Sequence, residues 1–270
     1  MCVRLYPAFD LVGTPLVAAV GGTVAALEAA RPLRPRTATR RSRWPTNALA
    51  GLLAAVFVRG AVVPAAQAAA RAAARRRLGL LRWLPMPRLV KVGLGILALD
   101  YTMYLWHRAL HRFGPLWRFH AVHHDDPDLD ATTALRFHAG EIIASVPYRC
   151  AQVLVLGVSP SVALAYEVVM QSAALFHHSN LRLPERVDRA LSYVIVTPRM
   201  HGVHHSLETR ELESNWSVVF SFWDRLHGTL RERAVPPRIG LAPENSPHAR
   251  GLRQRAASSR AERAPTLNVP

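Results

Sequence analysis

Histidines carry the clearest chemical signal in this sequence. Eight of the 13 histidines fall into three short groups: His107 and His111, then His120, His123 and His124, and last His201, His204 and His205. Positions i, i+3 and i+4 of a helix share one face, so a helix through each group would project its imidazoles to one side. Neutral imidazole binds iron, copper, zinc and nickel. Each group is therefore predicted to supply part of a metal site.

The number of imidazoles favours two metal ions over one. Catalytic zinc takes three protein ligands and an open position, so eight imidazoles exceed what one tetrahedral ion can use. A zinc protease would also need a glutamate after the first histidine of His-Glu-x-x-His, but Ala121 and Gly202 stand at those positions. A redox-active pair beside apolar helices is suited to activating O2 and oxidising hydrocarbon chains. Lipid oxidation is the chemistry that this pattern favours.

Apolar stretches must position these groups. Residues 11–30 have about the ~20-residue length that a bilayer-spanning helix needs. Residues 47–70 are also apolar but contain Arg59 and Pro64, so this stretch is predicted to span, bend or lie in the membrane interface. Arginine-rich loops follow both stretches, and the two loops cannot both obey the positive-inside tendency. Charge alone therefore leaves the topology of the first two helices undecided.

Two further apolar regions surround the histidines. Residues 90–106 predict another helix, with Asp100 inside it, where an unpaired acid would be costly. Residues 142–176 are apolar but broken by glycine and proline, which predicts two helices joined by a turn. Such a hairpin returns the chain to the side that it left. Segments 107–141 and 177–230, which hold most of the histidines, are therefore predicted to lie at the same membrane face.

Composition supports a membrane protein. Half of the residues are hydrophobic and 19% are charged. The formal net charge of +16 comes almost entirely from arginine, without the interleaved aromatic residues or recognition motif of a nucleic-acid-binding protein, so no nucleic-acid partner is expected. The two cysteines, Cys2 and Cys150, exclude a disulfide framework and a cysteine metal site.

The predicted architecture is all-α: an integral membrane helical bundle with a di-metal histidine site at one membrane face. Three regions are expected. Residues 1–88 hold N-terminal membrane helices and basic loops, residues 89–233 form the histidine-box catalytic domain, and residues 234–270 form a disordered basic tail because they are rich in Pro, Arg, Ser and Ala.

The histidine-bearing segments resemble a known family. The run from Asp100 to His124, DYTMYLWHRALHRFGPLWRFHAVHH, resembles the first two histidine boxes of the fatty acid hydroxylase and sterol desaturase superfamily. Later segments match in the same order, with DDPDLDATTALRFHAGE at 125–141, FHHSN at 176–180, TPRMHGVHHS at 197–206 and WDRLHGT at 223–229. The resemblance covers roughly residues 95 to 230.

This resemblance implies a membrane di-iron centre that uses O2. It assigns metal-ligand roles to His107, His111, His120, His123, His124, His138, His178, His201, His204 and His205, whereas His177 matches no ligand position. Metal-bound histidines usually donate their second N–H to a carboxylate or carbonyl. The candidate catalytic or supporting residues are Asp100, Glu141, Asn180, Asn215 and Asp224, and Asp188 also lies near the boxes.

Asp100 and the last boxes raise separate questions. Asp100 precedes His107 by two helical turns, so it is expected either to reach a metal ligand or to make a helix–helix hydrogen bond. The chain departs from the family pattern near its end, where Asn215-Trp216-Ser217 replaces Asn-Tyr-Gly and His227 replaces an aromatic Phe. These changes leave the ligands intact and bear on the substrate channel.

The leading functional hypothesis is a di-iron monooxygenase or desaturase of the bacterial inner membrane, with its metal site on the cytoplasmic side. Its expected substrate is a lipid such as a sterol or fatty acyl chain, with carotenoid or alkylglycerol hydroxylation as alternatives. The sequence has no G-x-G-x-x-G loop and no Cys-x-x-Cys-His, so electrons must come from an external ferredoxin, flavoprotein or cytochrome. A non-enzymatic membrane metal-binding or transport protein is the competing class.

Overall fold

A computed structural model describes Tyr6, residues 9–233 and residues 237–251. These described residues form twelve α-helices and no β-strand, which confirms the all-α prediction. The helices are α1 (Thr14–Ala30), α2 (Arg40–Phe57), α3 (Val63–Arg76), α4 (Leu80–Trp83), α5 (Arg88–Arg112), α6 (Gly114–His124), α7 (Ala139–Leu156), α8 (Pro160–His178), α9 (Glu185–Ser192), α10 (Pro198–His204), α11 (Thr209–Leu212) and α12 (Phe222–Leu226).

Three helical segments are long and apolar enough to cross a membrane: Phe9–Ala30, Arg40–Trp83 and Arg88–Arg112. Only 11%, 11% and 28% of their most apolar windows are buried inside the protein. Leucines such as Leu49 and Leu52 are 59% and 64% exposed, and so large an apolar surface is what a bilayer covers. The arrangement is that of a membrane helical bundle.

The second apolar stretch is a continuous helix despite its arginine and proline. Helix α2 runs through a π-helical turn, Val58–Val62, directly into α3. The Arg59 guanidinium pairs with the Asp10 carboxylate at 2.7 Å, which neutralises its charge beside the first helix. Pro64 lies in the first turn of α3. Pro64 follows the π-helical turn, where the regular i→i−4 hydrogen-bond pattern is already interrupted, so neither residue ends the helix.

The predicted hairpin is confirmed as α7 and α8. Helix α7 ends at Gly157, which has a φ of +71°. A Cβ added at Gly79 would lie 2.2 Å from the Gly157 Cα, and one at Gly157 would lie 2.8 Å from the Leu78 carbonyl oxygen. The linker after α3 therefore crosses the hairpin turn backbone to backbone, and only glycine fits at both positions.

The core lies where α3, α5, α7 and α8 meet. Leu99, Val153, Val162 and Tyr166 are buried together there. This cluster fixes α5 and α8 side by side, and these two helices carry histidines at their C-terminal ends.

Residues 237–251, which fall within the segment predicted to be a disordered tail, contact the helices. The Trp117 indole donates to the Asn245 carbonyl oxygen at 3.0 Å, and the Asn245 amide donates to the Thr209 hydroxyl at 3.0 Å. The Arg250 guanidinium lies 4.1 Å from the centroid of the Trp117 ring. These polar contacts hold the segment against α6 and α11. Such contacts leave no periodic pattern in the sequence, so the sequence did not predict them. Residues 252–270 lie outside the described residues, and the domain boundaries at residues 88 and 233 stay predictions.

Candidate metal centre

Nine buried histidines converge in two neighbouring groups. Within each group the potential ligand nitrogens all lie within 4.8 Å of one another. The first group is His107, His111, His120, His124 and His204, and the second is His123, His178, His201 and His205. Helix α6 gives two histidines to the first group and one to the second. Helix α10 and its C-cap give one histidine to the first group and two to the second. The i, i+3, i+4 spacing thus spreads each triplet over both groups, which couples the two sites.

Backbone carbonyls fix the orientation of three imidazoles. The Nδ1 atoms of His107, His178 and His204 lie 2.9, 2.8 and 2.7 Å from the carbonyl oxygens of Trp216, Ala174 and Ser214. A carbonyl can only accept, so in each ring Nδ1 carries the proton and Nε2 keeps its lone pair. Three Nε2 lone pairs are therefore available as metal ligands.

A carboxylate holds a fourth imidazole. The Glu141 Oε2 atom lies 3.1 Å from the Nδ1 of His120, and both residues are buried. The sequence placed Glu141 near the boxes as a candidate supporting residue, and the structure brings it to a histidine of the first group. A carboxylate in this position fixes the tautomer of a ligating histidine and raises its basicity.

The nitrogens that face one another fit a bound cation. The Nε2 of His178 lies 2.9 Å from the Nε2 of His123 and 3.0 Å from the Nε2 of His201. One lone pair can accept only one in-plane hydrogen bond, so these rings cannot all satisfy one another. Both ring nitrogens of His111 and of His205 are buried without a partner. Buried polar atoms are nearly always bonded, and a metal ion in each group would satisfy one nitrogen of each ring.

The imidazoles are in the form that binds metals. Burial lowers the pKa of His123, His124, His201, His204 and His205 well below its usual value, and the neighbouring imidazoles add to the effect. A histidine with a lowered pKa is neutral at pH 7, and neutral imidazole is the ligand.

A loop between α11 and α12 supports the first group. The Asp224 carboxylate accepts the backbone N–H groups of Trp216 and Ser217, each at 2.9 Å, and so fixes the carbonyl that orients His107. Asn215, in the left-handed region with a φ of +51°, donates to the Met200 carbonyl oxygen at 2.9 Å. Asp224 and Asn215 therefore position the histidines by holding the backbone next to them, without contacting the imidazoles.

Asp100 does not contact a histidine. Its carboxylate accepts the Tyr166 hydroxyl at 2.8 Å, the Trp223 indole N–H at 2.8 Å, and the backbone N–H groups of Val219 and Phe220 at 3.2 and 3.0 Å. Of the two alternatives expected for Asp100, the structure has the hydrogen bond between helices. Four donors offset the burial of this acid and tie α5 to α8 and to the segment before α12.

Asn180 ties the end of α8 to the loop after α1. Its backbone N–H donates to the Glu28 carboxylate at 2.8 Å. Its side-chain amide accepts the Arg34 N–H at 2.9 Å and donates to the Arg34 carbonyl oxygen at 3.0 Å. Asn180 follows His178 by two residues, so these bonds position the ligand-bearing end of α8.

Three residues near the boxes lie outside both groups. His138 is exposed, and its Nδ1 accepts the Gly140 N–H at 3.0 Å at the start of α7. His177 is buried against the His201 ring, with centroids 4.1 Å apart. Asp188 pairs with Arg199 at 3.1 Å.

One buried ionic network was not expected from the sequence. The Arg43 guanidinium binds the carboxylates of Asp126 and Asp130 at 2.5–2.8 Å, and Asp126 also accepts the Thr133 hydroxyl at 2.9 Å. Asp126 follows His124 by two residues, so this network anchors the end of α6 to α2. The signal that could have revealed it is the acidic run DDPDLD beside the last histidine of the box, together with the arginines between residues 31 and 43.

Comparisons with known proteins agree with this site. The profile of the fatty acid hydroxylase family matches residues 92–229, more than half of the chain. The chain is similar to the ornithine lipid hydroxylase OlsE of Rhizobium tropici (30% identical, covering 56% of this chain and 44% of that protein), to an alkylglycerol monooxygenase of Caenorhabditis elegans (31%, 53% and 28%) and to the cholesterol 25-hydroxylase of Homo sapiens (28%, 53% and 52%).

The matched segment spans about half or less of the length of these relatives. No solved structure matches the chain. The extent of the profile match, which includes all nine clustered histidines, decides the assignment. The chain belongs to the fatty acid hydroxylase family.

Proposed function

We propose that this protein is a membrane di-iron monooxygenase that hydroxylates a C–H bond of a lipid with O2. The observation that carries the proposal is the convergence of nine buried imidazoles in two adjacent groups. Five and four nitrogen ligands exceed the three protein ligands of a catalytic zinc, and the groups contain no thiolate. The relatives are named for hydroxylating ornithine lipids, alkylglycerols and cholesterol, which supports a lipid substrate.

The residues of this chain would hold and isolate the metal pair. The clustered histidines would bind the two ions, and the carbonyls of Trp216, Ser214 and Ala174 keep their ligating nitrogens aimed inward. Burial of all nine side chains excludes bulk water from the centre. When bound, the iron pair supplies reductive O2 activation, in which a C–H bond, O2, two electrons and two protons give an alcohol and water.

The two electrons must come from outside the chain. The sequence has neither a G-x-G-x-x-G loop nor a haem-attachment motif, so a ferredoxin, flavoprotein or cytochrome is the expected donor. We place the metal centre on the cytoplasmic side of a bacterial inner membrane. The arginine-rich loop after α1 is bonded to the segment after His178, so the loop and the metal centre lie at one membrane face. The cytoplasmic placement applies the positive-inside tendency to this loop and not to the loop after α3.

Oxygen-isotope labelling tests this function. The purified protein, loaded with iron and given a reductant, a ferredoxin system and a lipid extract, should consume O2 and place one 18O atom in a lipid product. His201→Ala should abolish the labelled product, whereas His138→Ala, which removes an exposed histidine outside both groups, should retain it. O2 consumption with an unsaturated, unlabelled product would indicate desaturation. Metal binding without any O2 consumption would indicate a metal carrier and contradict the proposal.

A further inference from the structure

A cationic groove lies where the first apolar span ends. It has a volume of about 440 Å³ and is lined by Ala30, Arg31, Pro32, Arg182, Leu183 and Pro184. The two arginines are exposed, and the lining contains no acidic residue. Neither arginine belongs to the metal centre described above.

The groove is built by backbone bonds between two segments that are far apart in the chain. The Arg182 N–H donates to the Arg31 carbonyl oxygen at 2.8 Å, and the Leu33 N–H donates to the Asn180 carbonyl oxygen at 2.7 Å. Pro32 and Leu181 form an antiparallel bridge between these bonds. The Cα positions of the two arginines are therefore fixed relative to each other.

No described residue neutralises the charges of the groove. Among the described residues, neither the Arg31 nor the Arg182 guanidinium makes an ion pair or a side-chain hydrogen bond. Other arginines do find a carboxylate, as Arg59 does with Asp10 at 2.7 Å. Two neighbouring guanidinium groups repel each other unless an anion lies between them, and their planar donors suit phosphate and carboxylate oxygens.

The position of the groove identifies the source of the anion. The span Phe9–Ala30 ends at the edge of the groove, the level at which lipid head groups meet the hydrocarbon. Ala30 and Leu183 add apolar surface to the lining. A cationic and partly apolar groove at this depth fits a lipid whose head group carries a phosphate or carboxylate better than it fits a neutral lipid.

We propose that Arg31 and Arg182 bind the anionic head group of the lipid substrate and so direct oxidation to a carbon near that head group. This inference rests on the proposed hydroxylase function. His178, a member of the second metal group, precedes Arg182 by four residues, and four residues span at most ~14 Å. The Arg182 backbone therefore lies within ~14 Å of a residue of the metal centre, so the head-group-proximal carbons of a lipid anchored in the groove are close to that centre.

Lipid binding measured without turnover tests the groove. The full-length protein in detergent is titrated with dioctanoyl phosphatidylglycerol, with dioctanoylglycerol, which has the same tails and no charge, and with inorganic phosphate. Wild type should bind the anionic lipid most tightly. R31Q/R182Q should weaken that binding by about tenfold or more for each lost charge-assisted contact. R36Q/R186Q, which removes two exposed arginines from the same segments outside the groove, should leave it unchanged.

Three results would overturn the proposal: R31Q/R182Q binding the anionic lipid as tightly as wild type, dioctanoylglycerol binding as tightly as phosphatidylglycerol, or inorganic phosphate binding as tightly as the lipid. Equal thermal unfolding midpoints of the variants without lipid show that folding is intact. Because no turnover is required, loss of lipid binding in R31Q/R182Q supports the groove even if the protein shows no hydroxylase activity.

Discussion

Replacement of Glu141 isolates the contribution of one carboxylate to metal binding. Glu141 and His120 are 5% and 3% exposed, and their side chains meet at 3.1 Å, so water does not screen the contact. In Glu141→Gln the amide oxygen still accepts the Nδ1–H, but the bond loses its charge assistance. Charge-assisted hydrogen bonds are about twice as strong as neutral ones, so the loss is about 1 kcal/mol, or roughly fivefold in metal affinity.

Glu141→Ala should be more damaging than Glu141→Gln. It leaves the His120 N–H buried without an acceptor, which costs about 1–3 kcal/mol and lowers metal affinity by about 10- to 100-fold. Iron retention is measured by competition with a chelator in detergent, with Glu185→Gln, an exposed acid on α9, as the control. Equal iron retention in wild type and both Glu141 variants would refute the idea that this carboxylate supports a metal-bound imidazole.

Three further predictions concern stability. Asp100→Asn should destabilise the protein by about 2–4 kcal/mol because an amide cannot accept from all four donors; an unchanged unfolding midpoint would contradict this. Gly157→Ala should lower the midpoint by several degrees because of its positive φ and backbone contacts, whereas Gly22→Ala, with open space around it, should not. Burial lowers the pKa of His123 and of His201, so the unfolded chain takes up protons first, and stability should fall as pH drops below about 6.5; a flat profile between pH 8 and 5 in thermal unfolding would refute it.

Helical periodicity made much of the fold predictable. The stretches 11–30, 90–106 and 142–176 gave α1, α5 and the α7–α8 hairpin because each is an apolar run with a clear end. The stretch 47–70 was ambiguous because the sequence does not show whether a charge inside an apolar helix has a partner that allows the helix to continue. Its outcome depends on Asp10, which lies close in space and far along the chain.

The sequence predicted which histidines form the site better than it predicted the contacts of the residues around them. The i, i+3, i+4 spacing indicated which histidines share a face, and eight of them do converge. Spacing did not reveal that Asp100 bonds to Trp223 and Tyr166 or that His138 is exposed, because those outcomes depend on how whole helices pack. The Arg43 network was missed for the same reason, since its partners lie more than 80 residues apart.

Metal stoichiometry tests the central claim most directly. The protein, loaded with ferrous iron under anaerobic conditions and freed of loose metal, is analysed for iron per chain and by X-ray absorption for the atoms around the metal. Two neighbouring groups of imidazoles predict two irons per chain, bound by nitrogen and oxygen without sulfur. One iron per chain, or none retained after a mild chelator wash, would contradict a two-metal centre built by these histidines.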